Sequence, residues 1–448
     1  FNVVAVLANY QDREDSDTEW SRIDMDDQYA APLVVTSDEE TSSFEFRINS
    51  NPGVFEWTVG YFFEDVEGKP NQIVETQYGP SFDAFDYITN IISGEPDYDG
   101  SVYCPPFCND SMGYPYMYYG SWRYFDRQRE ESVFGQVSYA WQDFTFTAGL
   151  RRYMLEDSYK GSEFGVFYLG SNGCDNDGDG QGDFADGVTC NELSGTEADT
   201  RPKFTVSYTP NDDLTLFAVS SAGYRPGGNN ANLPYFCEND PEASSFKRRF
   251  TSDNAQNTEF GGKYRTSRFS INATYFMIDW QDIQIGIAPA CGWSFTYNGG
   301  AAETSGLELD ATLDLAENLY LDFAGAFMSA ETTVDLPSFD AKAGDRLPGT
   351  VESQFNVGLT YETNFLGNPA FARVDWLNYG ESYATFAQTE NMMSPEYSKI
   401  NFNAGVNLGD AGLQLSIDNV FDERTEAFRY AIDSPSWRPR DYVQWIPP

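Results

Sequence analysis

The sequence predicts an all-β chain, a transmembrane antiparallel β-barrel with residues 1–448 forming one barrel unit. Three observations predict it. Apolar and polar residues alternate with period two, short turns alternate with long segments, and every cysteine falls in a long segment.

Phe44, Phe46 and Ile48 share one face of a strand, and Glu45, Arg47 and Asn49 the other. Phe55, Trp57, Val59, Tyr61 and Phe63 obey the same rule, as do Phe144, Phe146, Ala148 and Leu150, then Leu413, Leu415 and Ile417. Successive strand side chains point to opposite faces, so period two gives an apolar face and a polar one. The runs match the ~9–11 residues of a tilted membrane strand. No stretch approaches the roughly 18 apolar residues of a membrane helix, as expected where only alternate residues face lipid.

Short turns are predicted at Asn51-Pro52-Gly53, Gln142-Asp143, Pro210-Asn211-Asp212-Asp213, Thr266-Ser267, Glu317-Asn318, Asn364-Phe365-Leu366-Gly367 and Asp410-Ala411-Gly412. Between them lie long segments at about 11–41, 64–129, 156–199, 225–257, 279–302, 331–353, 379–398 and 421–441. Strict alternation gives a barrel tight turns on one side and long loops on the other, as in an outer membrane. A soluble sandwich does not demand it. Counted this way, sixteen strands are readable.

The six cysteines all belong to the long-loop side. Proximity in sequence pairs Cys104 with Cys108, Cys174 with Cys190, and Cys237 with Cys291; reduced or differently paired thiols are the alternative. Each such bridge restricts a long loop's unfolded ensemble, by roughly 2–4 kcal/mol.

Lys and Arg total 27 against 70 Asp and Glu, a formal net charge of −43. A nucleic-acid partner needs a basic footprint, so none is expected. The 29 Tyr and 35 Phe argue against disorder despite the charge. There is no histidine, which removes the commonest general base and metal ligand. A Ser–His–Asp site is impossible, and no enzyme activity is expected. The chain opens at Phe1 with no signal peptide, as expected of a mature or trimmed product.

Residues 174–190 read CDNDGDGQGDFADGVTC. Set on a twelve-residue calcium loop, Asp175, Asp177 and Asp179 take positions one, three and five, and Gly180 takes the sharp turn at six. Gln181 offers its backbone carbonyl, Asp183 takes position nine and Asp186 the last. Oxygens this close repel unless a cation neutralises them. Asp186 stands where Glu is usual, which weakens affinity. The bland alternative is a solvated acidic loop, since residues 157–199 hold ten acids and one base.

Two further segments are candidates for ligand contact. Tyr114, Tyr116, Tyr118 and Trp122, followed by Tyr124 and Phe125, could stack a ligand or form a membrane-boundary girdle. Arg225, Asn229 and Asn230, in the run Arg-Pro-Gly-Gly-Asn-Asn, could line a vestibule or simply make a loop-exit turn. An anionic ligand would need a local basic patch such as Lys247-Arg248-Arg249.

Several stretches resemble the barrel of TonB-dependent outer-membrane receptors. They are ESVFGQVSYAWQDFTFTAGLRR at 131–152, PKFTVSYTPNDDLTLFAVSSAGYRPGGNN at 202–230 and TEFGGKYRTSRFSINATYFMIDWQDI at 258–283. NGGAAETSGLELDATL at 298–313, RLPGTVESQFNVGLTYE at 346–362 and LQLSIDNVFDER at 413–424 follow in family order. The resemblance implies a Gram-negative outer membrane, contact with lipid and lipopolysaccharide, and uptake of a small-molecule ligand energised through TonB. A ferric siderophore is the first expectation; oligosaccharide or cobalamin uptake, and a passive channel or surface-interaction barrel, are the alternatives. The family's barrel has 22 strands and an N-terminal plug. About 16 strands are readable here, and nothing resembles the plug that would meet TonB.

Overall fold

The computed structural model describes residues 1–19, 32–68, 71–77, 116–165, 191–230, 233, 237, 239–287, 289, 294–432 and 440–445. The strands run β1 (Asn2–Glu19), β2 (Pro32–Asn49), β3 (Phe55–Gly68), β4 (Asn71–Gln77), β5 (Tyr116–Trp141), β6 (Phe144–Gly165), β7 (Asn191–Asn211) and β8 (Leu214–Arg225). Next come β9 (Gly228–Asn229), β10 (Arg249–Phe250), β11 (Asp253–Arg265), β12 (Phe269–Ile287), β13 (Phe295–Ala316), β14 (Leu319–Thr332), β15 (Ser353–Phe365) and β16 (Asn368–Tyr379). The last are β17 (Ser382–Tyr383), β18 (Met393–Ser394), β19 (Tyr397–Leu408), β20 (Ala411–Ile417), β21 (Glu426–Ile432) and β22 (Arg440–Trp445).

Fifteen of these form one antiparallel meander in the order β1-β2-β3-β5-β6-β7-β8-β11-β12-β13-β14-β15-β16-β19-β20. All seven predicted short turns fall at hairpins within it. Four of these hairpins use left-handed backbone: Gln142 has φ 54°, Asn318 66°, Leu366 and Gly367 52° and 80°, and Gly409 65°. The Leu366-Gly367 turn has positive φ at both central residues, which gives the twist that suits a two-residue hairpin.

Two expectations are corrected. The strands are longer than the lipid-spanning runs, reaching 26 residues in β5 and 22 in β6. Much of what reads as long loop is therefore strand continuing beyond the membrane. Polar cross-strand contacts hold it there, such as Arg127 Nε donating to Asp65 Oδ1 at 2.8 Å and Arg152 Nη1 to Thr200 Oγ1 at 3.0 Å. The sheet does hold sixteen strands, but the sixteenth is the short β4, which pairs with β2 and β5. The expected final strand, β22, pairs instead with β21 in a separate hairpin. Among the described residues β1 and β20 are the two edges of the sheet.

The two faces differ as the alternation requires. Val133, Leu150 and Phe204 are diagonal neighbours on one face of β5, β6 and β7 and 55–56% exposed, part of an apolar outer band. Exposed Phe55, Tyr139, Trp141, Tyr264, Phe269, Tyr361 and Phe365 cluster at its short-turn end. Aromatic rings belong there because their amphipathic bodies suit the membrane boundary. The inner face is polar. Gly60 and Gly261 lie flat beneath the rings of Phe134 and Phe217, where a Cβ would stand 2.3 and 2.2 Å from the nearest ring carbon. The buried apolar residues gather at the long-loop end, where Ile287, Phe295, Ala301, Ala302, Ala330 and Leu336 are covered.

Candidate functional site

The inner wall carries a polar cluster towards its long-loop end, built from β5 to β8. Arg151 and Arg201 stand directly opposite each other in register on β6 and β7. Like charges so placed repel, and their neighbours offset this. Arg151 pairs with Glu130, and Arg201 lies 3.2 Å from Asp199. The Tyr153 and Tyr224 rings stack at 3.9 Å, and the Arg201 guanidinium sits 5.6 and 5.3 Å from their centroids. Tyr224 donates its hydroxyl hydrogen to Glu130 at 2.8 Å, and Arg201 donates to the Tyr153 hydroxyl at 3.1 Å.

The Arg225–Asn230 segment turns off the end of β8 onto this wall. Arg225 donates to Asp253 Oδ2 from Nε at 3.0 Å and from Nη2 at 2.7 Å. Its guanidinium is half exposed and lies 5.4 Å from the Trp280 ring centroid. Asn229 donates to Asp157 at 2.6 Å. Asn230 is buried; its amide nitrogen donates to the carbonyls of Lys247 and Thr296, and its carbonyl accepts from the Thr296 N–H at 2.9 Å. Of the predicted ligand residues, these three are brought together. Arg225 presents a cation and an aromatic surface, while both asparagines serve the local fold.

Sequence reasoning missed the partners: Asp157, Glu197, Asp253, Gln284 and Asn298. Gln284 donates to the Pro226 carbonyl at 2.7 Å, and Asn298 accepts from the Thr251 N–H at 2.7 Å. Nothing in their local sequence distinguishes them. The basic run is divided: Arg249 is committed to Asp157, and Lys247 is exposed. In the adjoining 3-10 helix Pro241–Ser245, burial and then the nearby Asp240 charge raise the Glu242 carboxyl.

Tyr116, Tyr118 and Trp122 lie on β5 opposite Gln77, Glu75 and Gln72. Their side chains, and Tyr114, fall outside the described residues, as do Cys104, Cys108, Cys174, Cys190, Cys291 and the loop from Asp175 to Asp186. Cys237 is fully buried and disulfide-bonded. Among the described residues no group of three or more His, Cys, Asp or Glu is placed to hold a metal ion. With no histidine, the cluster has hydrogen-bonding and cation–aromatic capacity suited to recognition.

The family model of TonB-dependent receptor-like β-barrels matches residues 8–420. The pesticin receptor of Yersinia enterocolitica is 23% identical over 238 residues, 51% of this chain and 32% of that protein. In fold, the chain is similar to the ferric yersiniabactin uptake receptor FyuA of Yersinia pestis, at TM-score 0.71 and 14% identity, over 98% of this chain and 56% of that one. It is similar to the siderophore receptor PiuA of Acinetobacter baumannii at TM-score 0.63 and 12% identity, covering 99% and 60%. The ferric citrate transporter FecA gives TM-score 0.64 at 12% identity, covering 99% and 57%. The chain thus spans little more than half of these solved chains and about a third of the curated relative.

Proposed function

Since the chain belongs to the TonB-dependent receptor β-barrel family, we propose that it forms barrel wall of an active importer of a scarce nutrient, a ferric siderophore first. Such barrels sit in the outer membrane of Gram-negative bacteria, and the exposed apolar band fits that setting. The observation that carries the proposal is the pairing of a lipid-facing outer surface with a polar inner wall over fifteen consecutive strands. Ferric-siderophore and ferric-citrate receptors among the similar structures support iron complexes as cargo. A copper transporter is also among them, so the cargo assignment belongs to the proposal and not to the fold. Energy coupling through TonB is part of the same reading. A panel of ferric siderophores titrated against the purified full-length receptor tests it by tryptophan fluorescence. Saturable, sub-micromolar binding of at least one member is expected; binding only of oligosaccharides or cobalamin would reassign the cargo.

We also propose that the loop from Asp175 to Asp186 binds calcium and that Cys174–Cys190, Cys104–Cys108 and Cys237–Cys291 are bridged. The twelve-residue ligand spacing supports the first, and proximity supports the second. Chelation is expected to lower thermal stability in the wild type and to have no effect in an Asp177→Ala, Asp179→Ala variant. Equal calcium affinity in the two proteins would refute the site. Lipopolysaccharide is proposed as the neighbour of the outer strand extensions.

A further inference from the structure

We propose that the ribbon formed by Pro226–Asn230 and Lys247–Ser252 is locked onto the inner wall by Arg249, the positioning residue of this part of the barrel mouth. β9 and β10 make the ribbon, pairing Asn229 with Arg249 and Gly228 with Phe250. Arg249 crosses from it to the wall, where it pairs with Asp157 of β6 and approaches Glu197 of β7 at 3.9 Å. The Asp157 side chain is only 8% exposed.

The wall is shaped for this one side chain. Gly195 lies opposite Asp157 in register, and a Cβ there would stand 1.7 Å from Arg249 Cζ. The ribbon is shaped in return. A Cβ on Gly227 would stand 2.5 Å from the Phe250 carbonyl oxygen and 2.6 Å from Glu197 Oε1. A Cβ on Gly228 would stand 2.7 Å from the Phe250 ring. Further bonds tie the two surfaces: Asn229 to Asp157 at 2.6 Å, the Ser252 N–H to Glu197 at 2.9 Å, and Gln128 to the Gly227 carbonyl at 3.3 Å.

Charge makes Arg249 the decisive member. Asp157 and Glu197 approach the same guanidinium, and Glu197 Oε1 has no hydrogen-bond partner of its own. Without Arg249 the Asp157 and Glu197 carboxylates lose the cation that lies between them, which disfavours holding both under the ribbon. The ribbon is then expelled, while the strands keep their ladders. This rests on contacts within the chain and holds whatever the cargo.

Trypsin reads the lock directly, because Lys247, Arg248 and Arg249 are consecutive cleavage sites. Cleavage of a docked segment requires local opening, so its rate follows the open population. The full-length receptor in outer-membrane vesicles is expected to resist cutting at 247–249. Arg249→Ala and Gly195→Leu should each speed cutting after Lys247 or Arg248 by ~10-fold or more, with Arg249→Lys intermediate. An Asn229→Cys, Asp157→Cys pair, oxidised in the Arg249→Ala background, should restore resistance, and reduction should remove it. Heat-modifiable migration on gels confirms that each variant is a folded barrel, and Arg249→Lys keeps the comparison available if Gly195→Leu fails to insert. Unchanged cleavage in folded Arg249→Ala would overturn the proposal. So would wild-type cutting at 247–249 as fast as in an unstructured peptide of the same sequence, or a cross-link that restores nothing.

Discussion

Leu366 occupies a left-handed position, φ 52°, ahead of Gly367 in the hairpin between β15 and β16, and is 83% exposed. A branched side chain is costly there, and Asn is the residue that such turns favour. Leu366→Asn should stabilise the protein by about 1 kcal/mol, read as a higher urea midpoint in detergent. Asn230 argues the opposite way. Its replacement by alanine strands the Lys247 and Thr296 carbonyls and the Thr296 N–H. Asn230→Ala should raise hydrogen exchange in 294–298, at a local cost of about 1–3 kcal/mol. A third residue-level test uses pH. Hydrogen bonding from Arg127 holds the Asp65 carboxyl below its usual range, outweighing the effect of burial. A lowered folded pKa means stability present above the unfolded value, ~3.9, and lost as pH falls through the folded one. Arg127→Gln should therefore cost about 0.5–1 kcal/mol at neutral pH and nothing once both states are protonated. The site residues were unevenly legible. Arg225, Asn229 and Asn230 stand out beside Gly-Gly, whereas Asp157 and Glu197 are two acids in a run of ten whose partner lies far along the chain.

At the scale of elements, the hairpins were legible because turn chemistry is local and each falls between two alternating runs. Strand ends were not. Lipid demands apolar residues on alternate positions, but beyond the lipid nothing in composition separates a polar strand from a polar loop. β5 illustrates this: its alternation is plain from Val133 to Trp141, yet it starts at Tyr116. β21 was missed for the same reason, and it pairs with β22, the strand expected to be the barrel's last. One element carries a visible cost. Asp279, Glu303 and Glu331 lie in register on β12, β13 and β14, three acids across adjacent strands. Opposed like charges destabilise a sheet. Glu303→Gln should raise the unfolding midpoint by the equivalent of about 0.2–1 kcal/mol, an effect that shrinks in high salt. An unchanged midpoint at low salt would mean that this row is already neutralised.

For the whole molecule, the barrel class followed from periodicity and sidedness, and the family from an ordered set of short segments that the match over residues 8–420 bears out. The net charge of −43 identifies no cargo, and on the inner wall Arg151, Arg201 and Arg249 are each paired with an acid. The ribbon that closes on Arg249 could not be read from sequence, because its hydrogen bonds to the wall join residues 55 to 99 positions apart. The central claim is that this wall belongs to an energised importer. Its most direct test is whole-cell uptake of radioiron-loaded siderophores, comparing a strain carrying the full-length gene with its deletion, with and without a protonophore. Gene-dependent accumulation of at least one iron complex that stops when the proton gradient is collapsed is the predicted result; gene-dependent entry unaffected by the protonophore would contradict it and mark a passive channel.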